Sequence, residues 1–164
     1  MDINALLTAA GKLLNLPIKL DSETHRCILV DKNSRQEVFI EAPEGDDLLY
    51  IYAQLGKVPH DVQMDKFLKS VLELNLFGIQ TNGFTISVEP QQDQLMLHFI
   101  FPQDILTPQL LVNLLKNFIA SIKQMAAKID DLTTIGRRRA AVAKAQYSPG
   151  ENAKPKQAMR VIRA

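Results

Sequence analysis

The chain has 164 residues, 46% of them hydrophobic, which suits one domain whose core needs no cross-links. Its single cysteine, Cys27, excludes an intrachain disulfide and fits a reducing cytosol. The net charge of +1 conceals a division: residues 1–132 hold 11 Lys+Arg and 17 Asp+Glu, a balance of −6, whereas residues 133–164 hold 8 Lys+Arg and one Glu, a balance of +7.

Residues 3–15 repeat Ile3, Leu6, Leu7, Ala10, Leu13 and Leu14 at helical spacing, with Asp2 as N-cap or first-turn anion. Asn15 and Pro17 end this helix, because proline excludes the helical conformation before it. The segment has no basic leader, and Asp2 argues against a signal peptide. No uninterrupted apolar run is long enough to cross a bilayer. The apolar face of this first helix either packs in a core or lines a groove.

A short extended piece at 18–20 and a polar turn lead to a strand at 26–31. Lys32, Asn33 and Ser34 turn the chain into a second strand, 36–42. Residues 43–46 form another turn, before a third strand at 47–55. Such short connections predict an antiparallel meander. In the second strand Val38, Ile40 and Ala42 share one face, and Glu37, Phe39 and Glu41 share the other. Tyr50 and Tyr52 share one face of the third strand. A register that brings them to Phe39 would give the sheet a second apolar face.

After a loop at 56–61, residues 63–77 read as a helix with Met64, Phe67, Leu68, Val71, Leu72, Asn75 and Leu76 along it. Leu74 and Phe77 widen the stripe beyond what one buried face needs. Burial on two sides accounts for that, against a second subunit or within the chain's own centre. Gly78 and Gly83 bracket a turn into a strand with Phe84, Ile86 and Val88 on one face. A hairpin at 90–93 leads to 94–101, which is apolar on both faces as a central strand would be. Thr107 and Pro108 start a last helix, as N-cap and first helical residue, that runs to about Leu132 and stops at Gly136. The basic tail reads as mostly disordered, with a short helical start at 140–145.

Catalytic chemistry finds no support. His25, His60 and His98 lie in separate segments with no zinc spacing, and phosphate-loop, nucleophile-elbow and dinucleotide patterns are missing. No catalytic, cofactor or metal residue is assigned, and no enzyme activity is expected. Arg137, Arg138 and Arg139 could touch nucleic acid or an anionic membrane, or fold back on the acidic body. The acidic body itself repels nucleic acid.

The order helix, three strands, helix, two strands, helix defines an α+β class, an antiparallel twisted sheet with three helices and a flexible tail. NALLTAAGKLLNL, CILVDK, LELNLFG, NGFTISVEP and QLMLHFIFP, followed by a long last helix, resemble the class I type III secretion chaperones of the Tir chaperone (CesT/SycE-like) family. The resemblance covers residues 1–132; the basic tail, 133–164, departs from it. It implies a cytoplasmic bacterial homodimer that binds N-terminal segments of effector proteins and hands them to the secretion ATPase or sorting platform. It implies a dimer seam on the second helix and next strand, at Phe67, Leu68, Val71, Leu72, Asn75, Phe84 and Ile86. It implies a cargo surface from the first helix and strands, with Leu6, Leu7, Ile18, Leu20, Ile28, Phe39, Tyr50 and Tyr52 as candidates. The alternative is a regulatory or nucleic-acid-binding protein acting through the tail; an unusual hydrolase or transferase is the third reading.

Overall fold

The structure, a computed structural model, describes residues 2–31 and 35–146. The turn expected at 32–34 and residues 147–164 of the basic tail lie outside the described residues, whereas residues 133–146 of that tail, expected to be mostly disordered, are helical. Helix α1 (Ile3–Leu14) begins as its sequence dictates: the Asp2 carboxylate accepts from the Asn4 and Ala5 amides at 2.9 and 3.3 Å. It ends at Asn15, whose left-handed φ of 54° closes the last turn. Strands β1 (Arg26–Val30), β2 (Glu37–Glu41) and β3 (Leu48–Lys57) make the expected antiparallel meander. Helix α2 (Met64–Leu74), strands β4 (Thr85–Glu89) and β5 (Gln94–Pro102), and helix α3 (Pro108–Gln146) follow.

All pairings are antiparallel, and the sheet order is β1-β2-β3-β5-β4. β5 therefore lies between β3 and β4 with both of its edges paired. The helices cover one face. Val38, Ile40, Leu49, Ile51, Leu95 and Leu97 turn inward and are buried there. The alternate residues Phe39, Glu41, Tyr50, Tyr52, Met96, His98 and Ile100 turn outward. Phe118 of α3 meets Phe84 edge to face at 5.1 Å, and Phe84 meets Phe99 the same way at 5.5 Å.

Two helix ends differ from the sequence reading. α2 stops at Leu74, not 77. Asn75 caps it, and Leu76–Gly78 forms a separate 3-10 turn in which Phe77 takes a left-handed φ of 54°. Gly78 makes this turn possible: its φ is +68°, and a Cβ there would sit 3.0 Å from the Gly83 Cα. Leu76 and Phe77 are therefore not part of a helical stripe, and both are exposed.

α3, conversely, passes through Gly136 and continues to Gln146. One interior glycine costs only about 1 kcal/mol relative to alanine. Here it permits a close approach, since a Cβ at 136 would come within 2.9 Å of Val62. One residue later the Arg137 Nε donates to Asp61 at 2.6 Å, a bond that holds the Asp61 carboxyl below the usual carboxylate range. The glycine is a packing residue against the loop before α2, not a stop. At the helix start the expected cap is present: Thr107 Oγ1 accepts from the Leu110 amide at 3.1 Å.

The aromatic contact between helices and sheet predicts a stability cost. Phe118→Ala should lower unfolding free energy by about 3–5 kcal/mol in urea denaturation. A loss below about 1 kcal/mol would show that the Phe84 and Phe118 contact is not central to the core.

Candidate interaction surfaces

The eight residues expected to line a cargo surface divide cleanly. Leu6, Leu7, Ile18 and Leu20 are buried in the chain's own core, so their side chains lie beneath any surface. The reason is that α1 lies against α3 with its apolar stripe inward, and the 18–20 segment is tied to α1 by the Leu20 amide donating to Asn4 Oδ1 at 3.1 Å. Ile28, Phe39, Tyr50 and Tyr52 instead come together on the outer face of the sheet. Phe39 pairs with Ile28 on one side and Tyr52 on the other. The Phe39 and Tyr52 rings stack at 5.1 Å with an interplanar angle of 8°.

Polar groups fix these rings. Glu41 Oε2 accepts from the Tyr52 hydroxyl at 2.8 Å and from Arg26 Nε and Nη2 at 3.1 and 2.9 Å. Burial, reinforced by the Glu41 bond, pushes the Tyr52 phenol from the usual 10.0 to about 12. The Tyr50 hydroxyl donates to Asp46 at 2.7 Å, and that bond raises its pKa. β5 extends the face: His98 lies opposite Tyr52 and Ile100 opposite Tyr50. Burial lowers the pKa of the His98 imidazole. A groove of about 730 Å³ runs over Phe39, Tyr52 and Met96, rimmed by Arg26, Gln36 and Gln94. A second, of about 340 Å³, lies over Tyr50, His98 and Ile100. Strand alternation puts Met96, His98 and Ile100 on one face of β5, and the β3 register makes that face continuous with the tyrosines.

The two edges of the sheet differ. At β1, the Ala42 amide donates to His25 O at 3.1 Å and the Asp31 amide to Gln36 O at 3.0 Å. That alternation turns Cys27 and Leu29 toward β2 and leaves Ile28 and Val30 with backbone groups facing outward. No backbone partner for either is found on that side among the described residues. At β4 the outward groups of Ile86 are taken. Its amide donates to Asn75 Oδ1 at 2.8 Å, and its carbonyl accepts from Asn75 Nδ2 at 2.9 Å. One side chain thus acts there as a neighbouring strand would.

The seven residues expected at a dimer seam also divide. Phe67, Val71, Phe84 and Ile86 are buried within the chain, and Leu68 packs partly against the same core. Asn75 is bound to Ile86. Only Leu72 is freely exposed, at 65%. Around it the end of α2 and the following turn present Leu76, Phe77 and Ile79, with Phe77 88% exposed. Sequence spacing put Leu76 and Phe77 on the helix and left Ile79 out. The signal for an early helix end was the Asn75 to Gly78 stretch itself, rich in turn formers.

Two consequences can be measured. Asn75→Ala leaves a backbone donor and acceptor of β4 without partners, and should cost about 1–3 kcal/mol in chemical denaturation. No change would show that water serves the edge equally well. The raised Tyr52 pKa favours the folded state below pH 10.0, where the phenol is neutral in both states, and that stability is lost as pH climbs through about 12. Tyr52→Phe should flatten the decline of the melting temperature over this interval; an unchanged decline would contradict the assignment.

Chains of distant sequence share this fold. The HopA1–SchA chaperone–effector complex contains a chain that matches with a TM-score of 0.57 at 14% identity, over 83% of this chain and 93% of that one. A chain in the Yersinia pestis complex of the type III secretion chaperone SycH with a stable fragment of YscM2 matches with a TM-score of 0.55 at 17% identity, over 73% and 95%. A chain of the Pseudomonas aeruginosa ExoT–SpcS complex matches with a TM-score of 0.54 at 17% identity, over 76% and 98%. At such identities the likeness is one of fold. No curated protein matches by sequence. The model of the Tir chaperone protein (CesT) family, however, matches residues 5–126, and by that match over most of its length the chain belongs to this family.

Proposed function

We propose that this chain is a cytoplasmic type III secretion chaperone that works as a homodimer and holds the N-terminal segments of effector proteins in a non-globular, secretion-competent form. Residues 1–132 carry the role, which requires no catalytic group. The observation that carries it is the outer sheet face, where the Phe39 and Tyr52 stack adjoins the open β1 edge at Ile28 and Val30. An extended segment there gains backbone hydrogen bonds from the edge and places alternate side chains over the aromatic face. Family membership supports the same reading. So does the kind of assembly in which similar folds occur: one a chaperone–effector complex, another a secretion chaperone with a bound protein fragment. Transfer of the segment to the secretion ATPase or sorting platform completes the proposed role.

Leu72, Leu76, Phe77 and Ile79 form the proposed contact between two copies. Large apolar groups at 88% and 76% exposure, Phe77 and Ile79, are costly on a monomer surface, and Phe77 is also held in a left-handed conformation. A two-fold contact would cover the same patch on both copies. Val71, being buried, tests folding rather than association.

Coexpression with N-terminal effector segments from the same bacterium separates the two surfaces. Phe39→Asp should reduce the retained segment at least tenfold, about 1.4 kcal/mol, and leave the assembly mass unchanged. Phe77→Asp should halve the mass. If the unaltered chain retains no segment, the chaperone reading fails; if Phe77→Asp leaves the mass intact, the seam lies elsewhere.

A further inference from the structure

The end of α3 is not accounted for by either surface. The family match stops at residue 126, and the last buried residue of the helix is Ile129, yet the helix continues to Gln146, roughly 25 Å further along its axis. Residues 133–146 contain Arg137, Arg138, Arg139 and Lys144 and no acidic residue. Arg137 is engaged by Asp61. Arg138 and Arg139 form no ion pair among the described residues. Because α3 is helical here, the three arginines fan over roughly 200° of its circumference, and Lys144 returns to the side of Arg137, so cations cover more than half of the rod.

A second observation concerns the place where this rod leaves the body. Lys66 of α2 and Arg139 of α3 line the same shallow cleft, with Gln63, Ser70 and Ile135, and no carboxylate lies among its described lining residues. Two basic residues on one cleft of about 30 Å³ add to the positive potential where the rod leaves the body. The large apolar groups of 133–146 are Ile135 and Val142 alone. That is too narrow a face for an interfacial membrane helix and too few anchors for helix-in-groove docking on a protein. The sequence beyond 146 adds Lys154, Lys156, Arg160 and Arg163 against Glu151.

We propose that the basic end of α3 is a second docking element, one that takes the phosphate backbone of nucleic acid without reading its sequence. The body, with its balance of −6, repels a polyanion and confines the contact to this arm.

Fluorescence anisotropy of the full chain with a short labelled DNA duplex tests this across a salt series. Binding at low salt should weaken as salt rises. Arg138→Gln with Arg139→Gln should lower affinity at least tenfold, equivalent to about 1.4 kcal/mol, and reduce the slope of log K against log salt by about 0.9 for each phosphate contact removed. The same double variant should retain effector segments as the unaltered chain does, which separates this arm from the cargo surface. Any of four results would overturn the proposal: no duplex binding at low salt, equal binding by the double variant, displacement of the duplex by polyglutamate as readily as by unlabelled duplex, or capture of phosphatidylserine vesicles in place of the duplex.

Discussion

A sheet covered by helices on one face only imposes a strict rule on every strand: alternate side chains go to the core and the others to the surface. In this chain the inward set is apolar, as at Val38, Ile40, Leu49, Ile51, Leu95 and Leu97, with Cys27 packed against it. The outward set is not the polar series that a solvated face requires. It holds Ile28, Phe39, Tyr50, Tyr52, Met96 and Ile100. Moving any strand by one residue would exchange the two sets, so the packing that builds the core also fixes the outer aromatic face in place. The polar groups Glu41 and Asp46 hold the tyrosine hydroxyls and so fix the rings on that face.

The edges extend the argument. An uncovered edge strand invites pairing with another chain. At β4 the Asn75 amide satisfies both outward groups of Ile86, and Asn75 is also the residue that caps α2. The exposed Phe77 follows from the same event, because the chain must turn through left-handed geometry to leave the edge. At β1 the Asp21 amide takes the outward carbonyl of Arg26 at 2.9 Å, and no backbone partner for the outward groups of Ile28 and Val30 is found among the described residues. The proposed strand addition uses the edge nearest Phe39, and the proposed contact between copies uses the apolar side chains at the opposite end of the sheet.

Much of this was legible in the residues. Asp2, Thr107 and Pro108 marked helix starts through side-chain capping, which is a local effect. The alternation of β2 and β5 assigned faces within each strand. What could not be read was whatever depended on contacts between distant segments. The pairing of Phe39 with Tyr52 depends on a register that no single strand specifies. α2 ends at a residue, Asn75, whose side chain bonds a strand eleven residues on. Gly136 looked like a stop because glycine often is one, and its packing against Val62 has no local signature. The burial of Leu6, Leu7, Ile18 and Leu20, and of Phe67, Val71, Phe84 and Ile86, had the same cause. An apolar stripe looks alike whether it meets the chain's own core or a partner.

The central claim is that two uncovered apolar surfaces exist for two different kinds of partner. Its most direct test is the solution mass of the purified chain, alone and after coexpression with an effector N-terminal segment. The account predicts twice 18.4 kDa for the chain alone, and that mass plus the bound segment for the complex. A particle of 18.4 kDa that gains no mass in the presence of effector segments would contradict it.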